Sequence, residues 1–221
     1  KLVSDYWYMR KLFLQLPEKK SINKKIVFNT IKVDPTTFAY EVFMAAILSK
    51  EGATTYNIID DGTYGKCQDL LDKWNCKYKL FKGSIIDRDL VKTAMEDVQY
   101  VFHLGALISV ADSFKEPDEY ININIRGTII LLEEAVNYGV KSFIFSSSCA
   151  VYGNTLPTQK VEHQPLKPLS PYAMSKAHAE DYCNFFNQIS NMKVVNLRYF
   201  NVFGLNQDAT RPYSACIANF F

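Results

Sequence analysis

The chain has 221 residues, 48% of them hydrophobic and 22% charged, which suits one sizeable domain with a buried core, or one domain plus a fragment. Lysine and arginine number 25 against 23 aspartates and glutamates, a net charge of +2, so charge makes no case for nucleic acid as a partner. The longest near-apolar run, residues 42 to 48, is far too short to span a bilayer, and the same composition excludes disorder.

Residues 1 to 24 stand apart, with Tyr6, Trp7, Tyr8, Leu12, Phe13 and Leu14 interleaved among basic residues. A short amphipathic helix docked on the domain is favoured over a membrane-surface segment, because the stretch is short and its charge modest. The pattern of an exported leader, a charged stretch followed by an apolar run and a small-residue cleavage site, is not found. Five dispersed cysteines without a Cys-x-x-Cys pair, and only three histidines, point to a reduced cytoplasmic protein without a structural metal.

From residue 25 onward, β-branched runs alternate with helical patterns, the signature of a parallel sheet covered by helices. Strands are predicted at 25 to 29, 54 to 60, 78 to 82, 99 to 103, 142 to 146 and 193 to 198. Asp34 and Pro35 open a first helix and Gly52 closes it, with Phe38, Val42, Ala45 and Leu48 on roughly one face. Asp87 caps a second helix. A long third helix runs from near Pro117 to Gly139, and a fourth opens at Tyr172. Residues 154 to 171 carry four prolines and read as a long loop. The fold class is therefore α/β, a doubly wound, mostly parallel, Rossmann-like sheet formed by residues 25 to 221, with 25 to 62 its divergent part.

Chemistry concentrates in two places. Ser146-Ser147-Ser148-Cys149-Ala150-Val151-Tyr152-Gly153 follows the fifth strand, so its hydroxyls emerge at the carboxyl edge of the sheet, where such folds bind ligands. Tyr172-Ala173-Met174-Ser175-Lys176 opens a helix behind Ser170-Pro171, and its i to i+4 spacing puts Tyr172 and Lys176 on one face. A neighbouring ammonium favours the phenolate, and Ser148 can share the proton or hold a substrate oxygen. Either motif alone has a plain structural reading: a strand end with local hydrogen bonds, or a chance pair on a helix. Asp60, at the end of the second strand, is either a ribose-binding carboxylate or a turn residue. Asn124 and Gly127 are poor helix formers, marking either a helix broken for close ligand approach or an irregular turn. His103 reads as a satisfied core histidine.

From about residue 60 to 221 the chain resembles the extended short-chain dehydrogenase/reductase superfamily, and most closely nucleotide-sugar 4-epimerases acting on UDP-glucose or UDP-N-acetylglucosamine. The resemblance is carried by Val101-Phe102-His103-Leu104-Gly105-Ala106, Asn124-Ile125-Arg126-Gly127-Thr128, the Ser148 segment, Ser170-Pro171-Tyr172-Ala173-Met174-Ser175-Lys176 and Leu197-Arg198-Tyr199-Phe200-Asn201-Val202-Phe203-Gly204, in family order. It implies Ser148, Tyr172 and Lys176 as the catalytic set. It also implies Asp60, Ser84, Ile85, Leu104, Gly105, Asn124, Tyr172, Lys176 and Tyr199 at the cofactor, Ser148 and Asn201 at the substrate, and no metal. The implied reaction is inversion of carbon 4 of a UDP-hexose through a 4-keto sugar, with tightly held NAD. Cys149 and Ala150 stand where related dehydratases and decarboxylases carry acidic residues, which favours simple epimerisation. By analogy the implied assembly is a homodimer packed through the helices at 117 to 138 and 172 to 187, with no nucleic acid or membrane partner.

The chain departs from the family in its first half. All nine glycines lie at or after Gly52, so 29 to 37 lacks the glycines that let a backbone approach a pyrophosphate. Ser84 replaces the family's aspartate near the adenine, and the family continues into a C-terminal substrate-binding part beyond Phe221. Residues 25 to 62, with Phe38-Ala39-Tyr40-Glu41-Val42 and Ile59-Asp60-Asp61-Gly62, faintly resemble the opening of glycosyltransferases with two Rossmann-like domains. A catalytically inactive sugar-nucleotide-binding domain, or a hybrid with a glycosyltransferase-like start, is therefore the alternative.

Overall fold

A computed structural model describes residues 25–30, 48–49, 52–59, 68–69, 71–72, 75–156 and 159–201. The expected N-terminal helix, the body of the helix from Asp34 to Gly52, the glycine-poor segment 31 to 37, Asp60 and residues 202 to 221 lie outside these. The described strands are β1 Lys25–Thr30, β2 Thr54–Ile59, β3 Tyr78–Lys82, β4 Tyr100–His103, β5 Ser142–Ser148 and β6 Lys193–Tyr199. Between them lie α1 Arg88–Met95, α2 Val110–Lys115, α3 Pro117–Tyr120, α4 Gly127–Asn137 and α5 Pro171–Ile189. A π-helical turn, Ile121–Arg126, joins α3 to α4, and a 3₁₀ turn, Cys149–Tyr152, follows β5.

The strands form one sheet in the order β3-β2-β1-β4-β5-β6, every pair parallel. The chain steps outward from β1 in one direction and from β4 in the other. The crevice above the carboxyl ends of β1 and β4 is thus the point where the winding reverses, the place where open α/β sheets take ligands.

Alternation along β4 shows both faces covered. Val101 and His103 are buried on the side of α1, α4 and α5, in a core with Met95, Leu131, Phe143 and Cys183. Tyr100 and Phe102 pack instead with Ala53 and Leu48. Gly52 comes just past the end of the first predicted helix as expected: it takes a positive φ of 90°, and Ala53 N donates back to the Leu48 carbonyl at 2.9 Å.

Caps explain the helix starts. The Asp87 carboxylate accepts from the amides of Asp89 and Leu90, both at 3.1 Å, and the Ser170 hydroxyl accepts from Ala173 N at 3.1 Å with Pro171 at the first helical position. Three elements differ from expectation. The helix from Pro117 is continuous to Asn137 but passes through the π turn. Short α2 precedes it, capped by Ser109, which accepts from Asp112 N at 3.1 Å. β5 continues two residues beyond 146, because β6 pairs with it to the end, Ser148 opposite Tyr199.

Candidate active site

β5 delivers the serine triplet to the sheet edge and α5 returns over it. At the strand end Ser148 stays extended, and its hydroxyl accepts from Ala150 N at 3.2 Å, so the same side chain caps the 3₁₀ turn. Tyr172, in the first turn of α5, has the Ser148 side chain beside its phenol, near enough to draw its titration down, and the Tyr120 ring meets it edge-on with centroids 6.4 Å apart. One turn on, Lys176 is buried; its Nζ donates to the Ser146 carbonyl at 2.8 Å and lies 4.9 Å from the centre of the Phe145 ring. The three residues expected to work together are thus gathered where β5 ends and α5 begins.

Electrostatics here depart from expectation in one respect. The phenol of Tyr172 is held above its ordinary value of 10, first by burial and also by the Cys149 thiol; the Ser148 side chain pulls it down. The Lys176 ammonium, expected to stabilise a phenolate, is turned to the Ser146 carbonyl and the Phe145 ring. Lys176 itself is depressed from 10.5 to about 8 by burial, with Cys183 and Glu180 opposing.

Asn124 sits in the π turn, buried, and its amide is occupied by the protein. Its Oδ1 accepts from Leu107 N at 2.8 Å, and its Nδ2 donates to Leu107 O at 2.9 Å and to the Ser175 hydroxyl at 3.0 Å. The stretch of the two readings, a helix broken for a ligand or an irregular turn, is a π-helical turn within a continuous helix. The helix widens by one residue so that Asn124 can clamp the loop after β4 to α5. Within that loop Gly105 is buried and Leu104 packs beside Ala53 and Phe102. His103 behaves as a core residue: its Nε2 lies 2.7 Å from the Thr128 hydroxyl, and burial pushes it well below the usual imidazole range.

Beyond β3, Ile85 is fully buried and packs so closely on Gly127 that a Cβ there would lie 2.5 Å from its Cδ1. Only the main chain of Ile85 is left to face a ligand. The neighbouring Ser84 hydroxyl is buried without a hydrogen-bond partner, as is the Ser146 hydroxyl. Such orphaned donors are costly unless something else satisfies them. One lies just past β3 and the other near the end of β5, on either side of the crevice. Tyr199 and Asn201, at the end of β6, are exposed.

Sequence reasoning passed over Glu180, which follows Lys176 by one turn, and gave Arg198 no role. The Ser147 hydroxyl donates to Glu180, and Arg198 Nη2 pairs with Glu180 Oε2 at 2.7 Å. A Lys-x-x-x-Glu pair on the buried face of α5 was the available signal.

The family model for the NAD dependent epimerase/dehydratase family matches residues 43–221. A putative UDP-glucose 4-epimerase of Methanocaldococcus jannaschii is 37% identical over 155 residues, 68% of this chain and 49% of that protein. The UDP-glucose 4-epimerase of Streptococcus mutans is 36% identical over 60% of this chain and 40% of its own. Among solved structures, the UDP-N-acetylglucosamine 4-epimerase of Methanobrevibacter ruminantium, in complex with UDP-N-acetylmuramic acid, superposes with a TM-score of 0.75 at 32% identity, covering 91% of this chain and 62% of that one. The Thermotoga maritima UDP-glucose 4-epimerase with UDP-glucose gives 0.72 at 30%, covering 89% and 61%. The chain spans about half the length of the curated relatives it matches. Over most of its own length, with the family's strand order and its ordered motifs, this chain belongs to the NAD dependent epimerase/dehydratase family.

Proposed function

We propose that this chain is the cofactor-binding part of an enzyme that inverts carbon 4 of a UDP-hexose with NAD. The observation that carries the reading is the meeting of Ser148, Tyr172 and Lys176 at the carboxyl edge of the sheet. The orphaned hydroxyls of Ser84 and Ser146 suit a dinucleotide lying across the crevice, with Ser84 and the main chain of Ile85 at one end, Leu104 and Gly105 midway, and Lys176 at the other. Asn124 serves this surface through Leu107, and Tyr199 borders it. Bound NAD supplies reversible hydride acceptance at carbon 4.

Tyr172 exchanges a proton with the sugar 4-hydroxyl, and Ser148, beside it, holds the sugar oxygen in line. With the phenol held above its ordinary 10, proton acceptance becomes easier toward alkaline pH. The buried Lys176 charge, on Ser146, fixes the strand end under the reacting groups. Asn201, exposed past β6, meets the sugar nucleotide. Cys149 and Ala150 supply no carboxylate beside Ser148, so the reaction stops at epimerisation.

A second reading, a sugar-nucleotide-binding domain without catalysis, is favoured by the lack of glycines in 29 to 37. Calorimetric titration of the full-length protein separates the two. NAD binding together with UDP-glucose or UDP-N-acetylglucosamine binding supports the enzyme; UDP-sugar binding alone supports the second reading. A homodimer through α5 is supported by exposed Met174, Tyr182, Phe185 and Ile189, which recur at helical spacing on it. A reducing compartment such as the cytoplasm suits the free thiols of Cys76, Cys149 and Cys183. Among the described residues no helix is long and apolar enough to cross a membrane.

A further inference from the structure

Three side chains one turn apart on α5 each meet one of the three serines that end β5. Tyr172 lies beside the Ser148 side chain, which draws its titration down, Lys176 donates to the Ser146 carbonyl at 2.8 Å, and Glu180 accepts from the Ser147 hydroxyl. Ser147 projects to the opposite side of the strand from its two neighbours, onto the buried side it shares with Phe143 and Phe145.

Glu180 is 1% exposed, and a carboxylate so buried persists only when it is paired and hydrogen-bonded. Arg198 meets that need from β6, with Nε 3.0 and 3.1 Å from the two carboxylate oxygens and Nη2 2.7 Å from Oε2. The same guanidinium donates through Nη1 to the Tyr152 hydroxyl at 3.1 Å and to the Glu162 carbonyl at 2.9 Å. One carboxylate therefore ties together the end of β5, β6, the 3₁₀ turn after Ser148 and the loop that returns to α5.

We propose that Glu180 is a positioning residue of the Ser148, Tyr172 and Lys176 site: it fixes the register of α5 on the serine end of β5 and keeps the Lys176 ammonium on the Ser146 carbonyl. Lys176 and Glu180 grip consecutive strand residues from successive turns. A slip of α5 by one residue, about 1.5 Å, breaks both grips and carries Tyr172 away from Ser148. A displacement of about 1 Å is enough to impair a reacting geometry. This inference deepens the epimerase reading and rests on it for its catalytic meaning.

The titratable and charged groups that act on Lys176 and Glu180 are His103 on β4, Cys183 on α5 and Arg198 on β6, the last also bonded to Tyr152 of the 3₁₀ turn. His103 is held neutral by burial, and burial likewise keeps the Cys183 thiol protonated. Removing the Glu180 charge therefore withdraws a carboxylate that favours the ammonium form of Lys176.

The test is an NMR titration of the full-length protein with lysine carrying 13C at Cε, the Lys176 signal being identified by its loss in Lys176→Arg. The unaltered protein is expected to titrate at about 8, and Glu180→Gln to titrate lower by about one unit. A folded Glu180→Gln protein whose Lys176 midpoint does not move overturns the proposal. Should that variant fail to fold, Glu180→Met/Arg198→Met, which strands neither charge, is expected to move the midpoint in the same direction, and an unmoved midpoint overturns it equally. A third measurement needs no variant: the Arg198 Nε–H is expected to exchange with water at least about tenfold more slowly than in an unfolded chain, and unprotected exchange overturns the proposal. None of these readouts uses turnover. A protein that lacks NAD binding yet shows the Lys176 shift defeats the proposed function and leaves Glu180 in its role.

Discussion

Lys176 is a charged group set inside the core, and its cost is visible in its titration. Its folded value of about 8 lies below the ordinary 10.5, so between these limits the unfolded chain holds the proton more tightly. Stability therefore rises as pH climbs from about 8 to 10.5, where the burden of the buried ammonium is lifted. The gain from this group is about 3 kcal/mol at most. Tyr172 and Cys183, both raised, pull the other way at alkaline pH, so the quantity to measure is the difference between the unaltered protein and Lys176→Met. Urea unfolding from pH 7 to 10.5 is expected to show the unaltered protein gaining on the variant as pH rises. Parallel curves would contradict the assignment.

Asn124 poses a complementary case, a neutral polar group whose partners are all internal. Asn124→Ala leaves the Leu107 amide and carbonyl and the Ser175 hydroxyl short of a bond each, at a cost of about 2 to 3 kcal/mol. Denaturant midpoints measure that loss. Because the clamp holds the loop carrying Leu104 and Gly105, NAD affinity is expected to fall in the same variant.

At the scale of elements, close approach explains what composition alone leaves open. Gly153 has a φ of 58°, and a Cβ there would overlap the Lys167 carbonyl oxygen, so Gly153 lets the long loop fold back on the turn after β5. Gly153→Ala is expected to cost about 1 to 3 kcal/mol, and Gly127→Ala, which drives a methyl into Ile85, a similar amount. Thermal melts of the two variants test both, and melting unchanged from the parent would contradict the packing.

The six strands, the Asp87 and Ser170 caps and the boundary at Gly52 were legible because hydrophobic alternation and capping chemistry are local. The π turn was not, because it is set by Asn124 reaching Leu107 and Ser175, partners 17 and 51 residues away. The end of β5 was placed short for a related reason: three serines look like a turn, and only pairing with β6 extends them as strand. The trio proposed as catalytic was legible as two motifs, yet the direction of the Tyr172 shift was not. Spacing puts Lys176 near Tyr172, but only the packed core shows its ammonium turned to Ser146. Glu180 escaped notice because its partners lie on two other elements.

Across the whole molecule, the strand order makes one crevice at the reversal of winding, and the serine end of β5 opens beside it. The residues around it divide the labour. Under the proposed function, Ser148 and Tyr172 face the chemistry, Lys176 and Asn124 brace it, and the unpartnered hydroxyls of Ser84 and Ser146 are there for a ligand to satisfy. The most direct measurement is interconversion of UDP-glucose and UDP-galactose by the full-length protein, compared with Tyr172→Phe, each with its bound NAD counted. Interconversion by the parent, a fall of at least about a hundredfold in the variant and an unchanged NAD content are expected. A Tyr172→Phe protein that interconverts the sugars as fast as the parent, or a parent that carries NAD but inverts neither sugar, would contradict the assignment of Tyr172 as the proton-transferring group.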